Sequence, residues 1–154
     1  MKHQIDPKID CVFKALLGNE TNRNLLQHFL NAVISDDIHN PITAVEILNP
    51  YNEKEHLDDK LSIVDVKARD DQGRIYQIEI QLLSYGHLPQ RILYNWADIY
   101  AQQLRSGENY TQLQPVYAIW LLAETLIHSD LDYRHDFRMR DKQGRLLNED
   151  CGIW

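Results

Sequence analysis

Cysteine is scarce. Cys11 and Cys151 stand alone near opposite ends of 154 residues, and two isolated thiols make neither a CxxC metal pattern nor a disulfide framework. No apolar run approaches the roughly 20 residues of a membrane-spanning helix. The N-terminal MKHQIDPKID has no apolar signal-peptide core. A cytoplasmic protein with no membrane contact is the expectation. Positive charge is also short: 16 Lys and Arg face 23 Asp and Glu, a formal net charge of −7. That excludes a surface built for general polyanion binding, though not a local basic patch around an acidic site. The seven histidines, among them His56, His87, His128 and His135, fall at no metal-ligand spacing.

What is there is an ordinary globular composition, 44% hydrophobic and 25% charged. At this length folding buries roughly 68–70% of the chain's surface, enough for one domain over residues 1–154. The chain stops at Cys151-Gly152-Ile153-Trp154. Ile153 and Trp154 read as the start of a strand, so a domain cut short at its C-terminus is expected.

In chain order the pattern is helix, helix, strand, strand, strand, long helix, strand, hairpin. Val12, Phe13, Leu16 and Leu17 fall at helical spacing, and Gly18-Asn19 closes that helix. Asp10 stands where an N-cap belongs. Thr21 is placed to cap a second helix from Asn22 to about Ile34, with Leu25, Leu26, Phe29, Leu30 and Val33 on its apolar face. After Pro41, Ile42–Leu48 reads as a strand, Asn49–Asn52 as a turn and 53–60 as an exposed charged run. Pro89 suits the first turn of a helix from about Leu88 to Arg105, with Ile92, Leu93, Trp96, Ile99, Tyr100 and Leu104 as its stripe. Val116–Glu124 is a continuous apolar run, as in a strand buried on both faces at the centre of a sheet. Helices on both sides of the strands favour an α/β domain with a mixed sheet. Finally, RDKQGR at Arg140–Arg145 nearly repeats RDDQGR at Arg69–Arg74. The same turn used twice is expected, with Tyr133–Met139 and Leu146–Leu147 as strand pieces.

The chemistry-bearing stretch is Leu61–Leu82. Its alternation predicts a hairpin with strands Leu61–Arg69 and Arg74–Leu82. Ile63, Asp65 and Lys67 share one parity, and Val64, Val66 and Ala68 the other. In the second strand Ile75, Gln77, Glu79 and Gln81 oppose the apolar Tyr76, Ile78, Ile80 and Leu82. A loop from Asp71 to Gly73, ending in a glycine bulge, pairs Asp70 with Arg74. Counting outward puts Asp65 opposite Glu79, with Cβ atoms about 4.5–5.5 Å apart. Two carboxylates so close repel unless a proton or cation lies between them. A hard divalent cation, Mg²⁺ or Mn²⁺, is the economical partner, with Asp65 and Glu79 as ligands and the Ile80 carbonyl as a further donor. Gln81 cannot act as a base but can orient a water or phosphate oxygen. The plain alternative is a solvated polar face of the hairpin.

Asp65 with Glu79-Ile80-Gln81 resembles the PD-(D/E)xK nuclease signature, with Gln81 in place of the usual lysine. Further pieces are similar, in order and spacing, to the Rpn-like recombination-promoting nucleases, a family also described as transposases. These are Asp10 with Phe13-Lys14, the IEIQ strand, Arg91 followed by Tyr94, and the segment from Tyr100 to Tyr110 leading into Pro115-Val116. The resemblance runs from about Asp6 to Ala123. It implies a restriction-endonuclease-like mixed β-sheet flanked by helices, a Mg²⁺-dependent deoxyribonuclease, DNA as partner, and a role in recombination or transposition. It also implies a helical acidic residue before the strands, for which Asp10 is the first candidate metal ligand and Glu20 the second. With glutamine at 81, Lys67 is the candidate source of positive charge. The expected catalytic set is therefore Asp65, Glu79, Gln81 and Lys67. A homodimer suits double-strand cutting. The alternative from a different class is a non-catalytic DNA-binding or protein-interaction module that keeps the nuclease fold.

Overall fold

The computed structural model of the protein describes residues 6–36, 38–50, 64–83, 86–129, 131–148 and 152–154. Three helices, α1 (Asp10–Leu17), α2 (Arg23–Ile34) and α3 (Leu88–Ala101), accompany five strands, β1 (Val45–Leu48), β2 (Val66–Asp70), β3 (Ile75–Gln81), β4 (Val116–Leu122) and β5 (Gly152–Ile153). The sheet order is β1-β2-β3-β4-β5. The first three strands are antiparallel, and β4 and β5 continue parallel to β3. The fold is the α/β domain with a mixed sheet that the residue pattern predicts, and it has the restriction-endonuclease-like arrangement that the family resemblance implies.

Helices cover both faces. On one side Phe13 and Leu17 of α1 and Leu26, Leu30 and Ile34 of α2 pack against Val66, Ala68, Tyr76, Ile78, Tyr117 and Ile119. On the other, Leu88, Ile92, Trp96 and Ile99 of α3 pack against Ile75, Val116, Ala118 and Trp120. Strand β4 is therefore apolar on both faces, as its unbroken run requires. Strand β3 is not. Its α3-facing row is Ile75, Gln77 and Glu79, and the last two are buried.

The hairpin register is as counted from sequence: Val66 faces Ile78, Lys67 faces Gln77 and Ala68 faces Tyr76. The closed end is held by Asp70. Its backbone N–H donates to Arg74 O at 3.1 Å, and Gly73 adopts φ +84°. The buried Asp70 carboxylate accepts from the N–H groups of Gln72 and Arg74, both at 2.9 Å, and from Arg74 Nε and the Tyr76 hydroxyl. Burial and the neighbouring Asp70 charge push the Tyr76 hydroxyl well above its ordinary pKa, so Tyr76 stays a donor. The second RDxQGR segment repeats this turn. Asp141 N–H donates to Arg145 O, its carboxylate accepts from Gln143 N, Arg145 N and Arg145 Nε, and Gly144 has φ +83°.

Several boundaries differ from expectation, each for a local reason. Strand β2 begins at Val66 rather than Leu61, and residues 61–63 lie outside the described residues. Continued pairing would give the Ile80 N–H to the Val64 carbonyl, but the Asp65 side chain takes it at 2.9 Å. Val64 instead donates its N–H to Pro50 O and joins the α3-side core, opposite to Val66. Strand β1 starts at Val45, because the Ile42 backbone is bonded to the side chains of Asn31 and Gln27 on α2. Asn22 rather than Thr21 holds the N-cap position of α2, and the 3-10 turn before it, Glu20–Asn22, is capped by Asn19, whose side-chain Oδ1 accepts from Thr21 N and Oγ1. Leu25 and Leu93, expected in the core, are half exposed. Helix α3 ends at Ala101, and Gln103 beyond it exchanges two hydrogen bonds with the Gln114 backbone. The strand pieces expected over 133–147 reduce to two isolated bridges, Phe137 with Ile153 and Arg140 with Leu146. Residues 51–60, with most of the expected turn and the charged run, lie outside the described residues.

The two turns differ in burial, not in pattern: the Asp70 side chain is 0% exposed and that of Asp141 37%. Asp70→Ala strands a buried guanidinium and hydroxyl and is expected to cost on the order of 3–5 kcal/mol. Asp141→Ala is expected to leave the urea midpoint unchanged. Equal urea-unfolding shifts for the two variants would contradict this account.

Candidate active site

Asp65 sits at the bend where β2 begins, opposite Glu79 by extension of the hairpin register. Its Oδ2 accepts from Ile80 N at 2.9 Å, and its Oδ1 lies 3.1 Å from Lys14 Nζ of α1. Lys14 also meets Asp10 Oδ1 at 3.0 Å, one helical turn back. The ammonium thus bridges a solvent-exposed carboxylate and a largely buried one. Burial opposes its charge, but the hydrogen bonds to Asp10 and Asp65 prevail and raise its pKa.

Glu79 is 2% exposed, on the row of β3 that faces the α3 side of the sheet. Its Oε1 accepts from Gln77 Nε2 at 3.2 Å, and its Oε2 is 3.9 Å from an Arg91 nitrogen. Burial and then the negative charge of Asp65 push the Glu79 carboxyl up to about 7, while Gln77 and Arg91 pull it back. Arg91, on the second turn of α3, also donates to Gln81 Oε1 at 3.0 Å and lies over the Trp120 ring. The other end of the Gln81 amide donates to Leu83 O. Gln77 Oε1 is buried and has no hydrogen-bond partner among the described residues.

At the C-terminal end of β3, then, two carboxylates meet a lysine from one face of the sheet and an arginine from the other. A family model for the PD-(D/E)XK nuclease family transposases matches residues 7–154. The chain belongs to this family. Neither the curated proteins nor the solved structures gave a match.

Within this PD-(D/E)XK chain, Asp65, Glu79 and Gln81 come together on one end of the hairpin, as counted from sequence. Asp10 reaches Asp65 through the Lys14 ammonium. It heads α1 at the first helical position, while Ile9 holds the N-cap position. Glu20 forms its ion pair with Arg23. Lys67 lies across from Gln77 on one side and Leu48 on the other. Among the described residues no three His, Cys, Asp or Glu side chains gather in a metal-holding cluster. The residues missed from sequence are Lys14 and Gln77. The Asp10–Lys14 spacing of four is a helix-pair signal, and Gln77 shares the face of Glu79, but neither spacing says what the helix packs against.

The Glu79 shift has a definite sign. A carboxyl raised from 4.5 to about 7 by folding stabilises the fold fully below its unfolded pKa and loses that contribution as pH rises through about 7. The loss is about 3 kcal/mol. Glu79→Gln stays neutral and is expected to gain stability relative to the wild type, by about that amount, between pH near 4.5 and pH near 8. Parallel stability curves for the two proteins in urea unfolding would contradict the burial of this group.

Proposed function

We propose that the chain is a divalent-metal-dependent DNA endonuclease, one nuclease domain that hydrolyses a phosphodiester in recombination or transposition. The observation that carries this reading is Asp65 opposite a buried Glu79 whose carboxyl is held near neutrality, in a member of a nuclease family.

The residues fit a hard cation. Asp65 and Glu79 supply carboxylate oxygens, and Gln77 Oε1, which has no hydrogen-bond partner among the described residues, is a further buried oxygen on the same row. Such donors suit Mg²⁺ or Mn²⁺, which take one or two carboxylates and complete their shell with water and phosphate. When bound, the cation acidifies a water and neutralises charge on the phosphoryl oxygens. Asp65 is oriented for ligation by the Ile80 N–H, and Glu79 by Gln77. Gln81 is turned toward Arg91, which brings the guanidinium to the mouth of the site, where it can meet a DNA phosphate. Asp10 holds Lys14 against Asp65. In the reaction the water oxygen bonds to phosphorus, the bond from phosphorus to one sugar oxygen breaks, and that oxygen leaves with a proton.

A net charge of −7 means that DNA is engaged through these local cations rather than a broad basic surface. The exposed free thiol of Cys11 suits a reducing cytoplasm, and a homodimer suits a double-strand cut. A second reading is a non-catalytic DNA-binding or protein-interaction module, favoured by Gln81 having both ends of its amide occupied.

Plasmid nicking in Mg²⁺ or Mn²⁺ separates the two. Wild type is expected to cut, with a loss on the order of 100-fold or more in Asp65→Ala and Glu79→Ala. Equal cutting by all three would contradict the assignment. A wild type that neither cuts DNA nor binds metal in calorimetry supports the second reading.

A further inference from the structure

We propose that Lys14 is the resident cation of the Asp65–Glu79 site and supplies the active-site lysine that position 81 lacks. This rests on the nuclease reading above and adds a residue to it. Lys14 Nζ lies 3.1 Å from Asp65 Oδ1 and within 3.0–3.2 Å of both Asp10 oxygens. The helix that carries it is anchored, because Phe13 and Leu17 are buried against the sheet. The side chain itself is 41% exposed, so its head stands at the open side of the site. An ammonium has three N–H donors. Among the described residues two directions are taken by Asp10 and Asp65, which leaves one for a water or a phosphoryl oxygen.

The competing positions are less suited. Gln81 is neutral and its amide is committed at both ends. Lys67 is set into the middle of the sheet, facing Gln77 and Leu48 in its ladders. Lys14 arrives instead from α1, on the face opposite to α3, and shares the Asp65 carboxylate that the nuclease reading gives to the metal. Two consequences follow from that shared carboxylate. A positive charge beside a metal ligand weakens divalent-cation binding by Coulomb repulsion, and it stabilises negative charge that develops on a phosphoryl oxygen during the reaction. Asp10 is then a positioning residue, holding the ammonium from the preceding turn.

The test compares full-length wild type, Lys14→Met and Lys14→Arg, each checked for a native circular dichroism spectrum. Mn²⁺ affinity is measured by electron paramagnetic resonance, and nicking of supercoiled plasmid in Mn²⁺ is measured in parallel. Lys14→Met is expected to bind Mn²⁺ roughly 5–10-fold more tightly and to lose cleavage on the order of 100-fold. Lys14→Arg is expected to return Mn²⁺ affinity to within about twofold of wild type. A merely structural lysine would weaken Mn²⁺ binding when removed, so tightening is specific to a resident charge. Unchanged or weaker Mn²⁺ binding in Lys14→Met, or cleavage at the wild-type rate, overturns the proposal. A wild type that binds Mn²⁺ without cutting DNA defeats the nuclease reading, while the Mn²⁺ comparison still decides the role of Lys14. Absence of Mn²⁺ binding in wild type and variants alike overturns both.

Discussion

The buried Asp70 carboxylate fixes the pairing on which the rest of the site depends. It gathers two backbone N–H groups, the Arg74 guanidinium and the Tyr76 hydroxyl at the closed end of the β2–β3 hairpin. All four donors converge on this carboxylate in the observed register. A slip of one residue would turn Glu79 away from Asp65 and carry Tyr76 and Ile78 out of the α1–α2 core, since successive strand residues face opposite sides. The site residues lie at the far end of the same hairpin, so their juxtaposition is set by a turn they do not touch.

Burial then gives that juxtaposition its chemistry. Helix α3 covers the row that carries Gln77 and Glu79, and the fold accepts a carboxyl at 2% exposure beside a second carboxylate. The resulting tension is relieved from two directions. Lys14 comes from the helix on one face and Arg91 from the helix on the other. The sheet is therefore a partition between two cation-bearing layers, and at the end of β3, where the β2–β3 ladder gives out at Asp65, the two sides meet. The Asp65 side chain causes that ending by accepting the Ile80 N–H. One residue ends the ladder and belongs to the candidate site.

Much of this was legible in the residues, and the part that was not has a common cause. Alternation in Val66–Gln81 and the DxxGR turn are local, so the register of Asp65 against Glu79 could be counted from Gly73 outward. The repeat at Asp141–Arg145 was readable for the same reason. The unbroken apolar run of β4 correctly announced a strand covered on both faces. Val64 was misplaced because its side depends on Pro50, which takes its N–H from outside the hairpin. Ile42 was placed in a strand because its spacing cannot show that Asn31 and Gln27 satisfy its backbone. Lys14 escaped notice as a site residue because its partner lies 51 positions away on another element, and only the docking of α1 brings them together. The Asp10–Lys14 spacing of four suits a helix pair, but it does not point to the third member.

The most direct test of a cation site built on a buried Glu79 is the titration of its side-chain carboxyl by carbon-13 NMR, with and without Mg²⁺. The expected result is a midpoint at about 7 in the metal-free protein that falls when Mg²⁺ is added, because ligation favours the ionised form. A midpoint near the ordinary 4.5, or one indifferent to Mg²⁺, would contradict it.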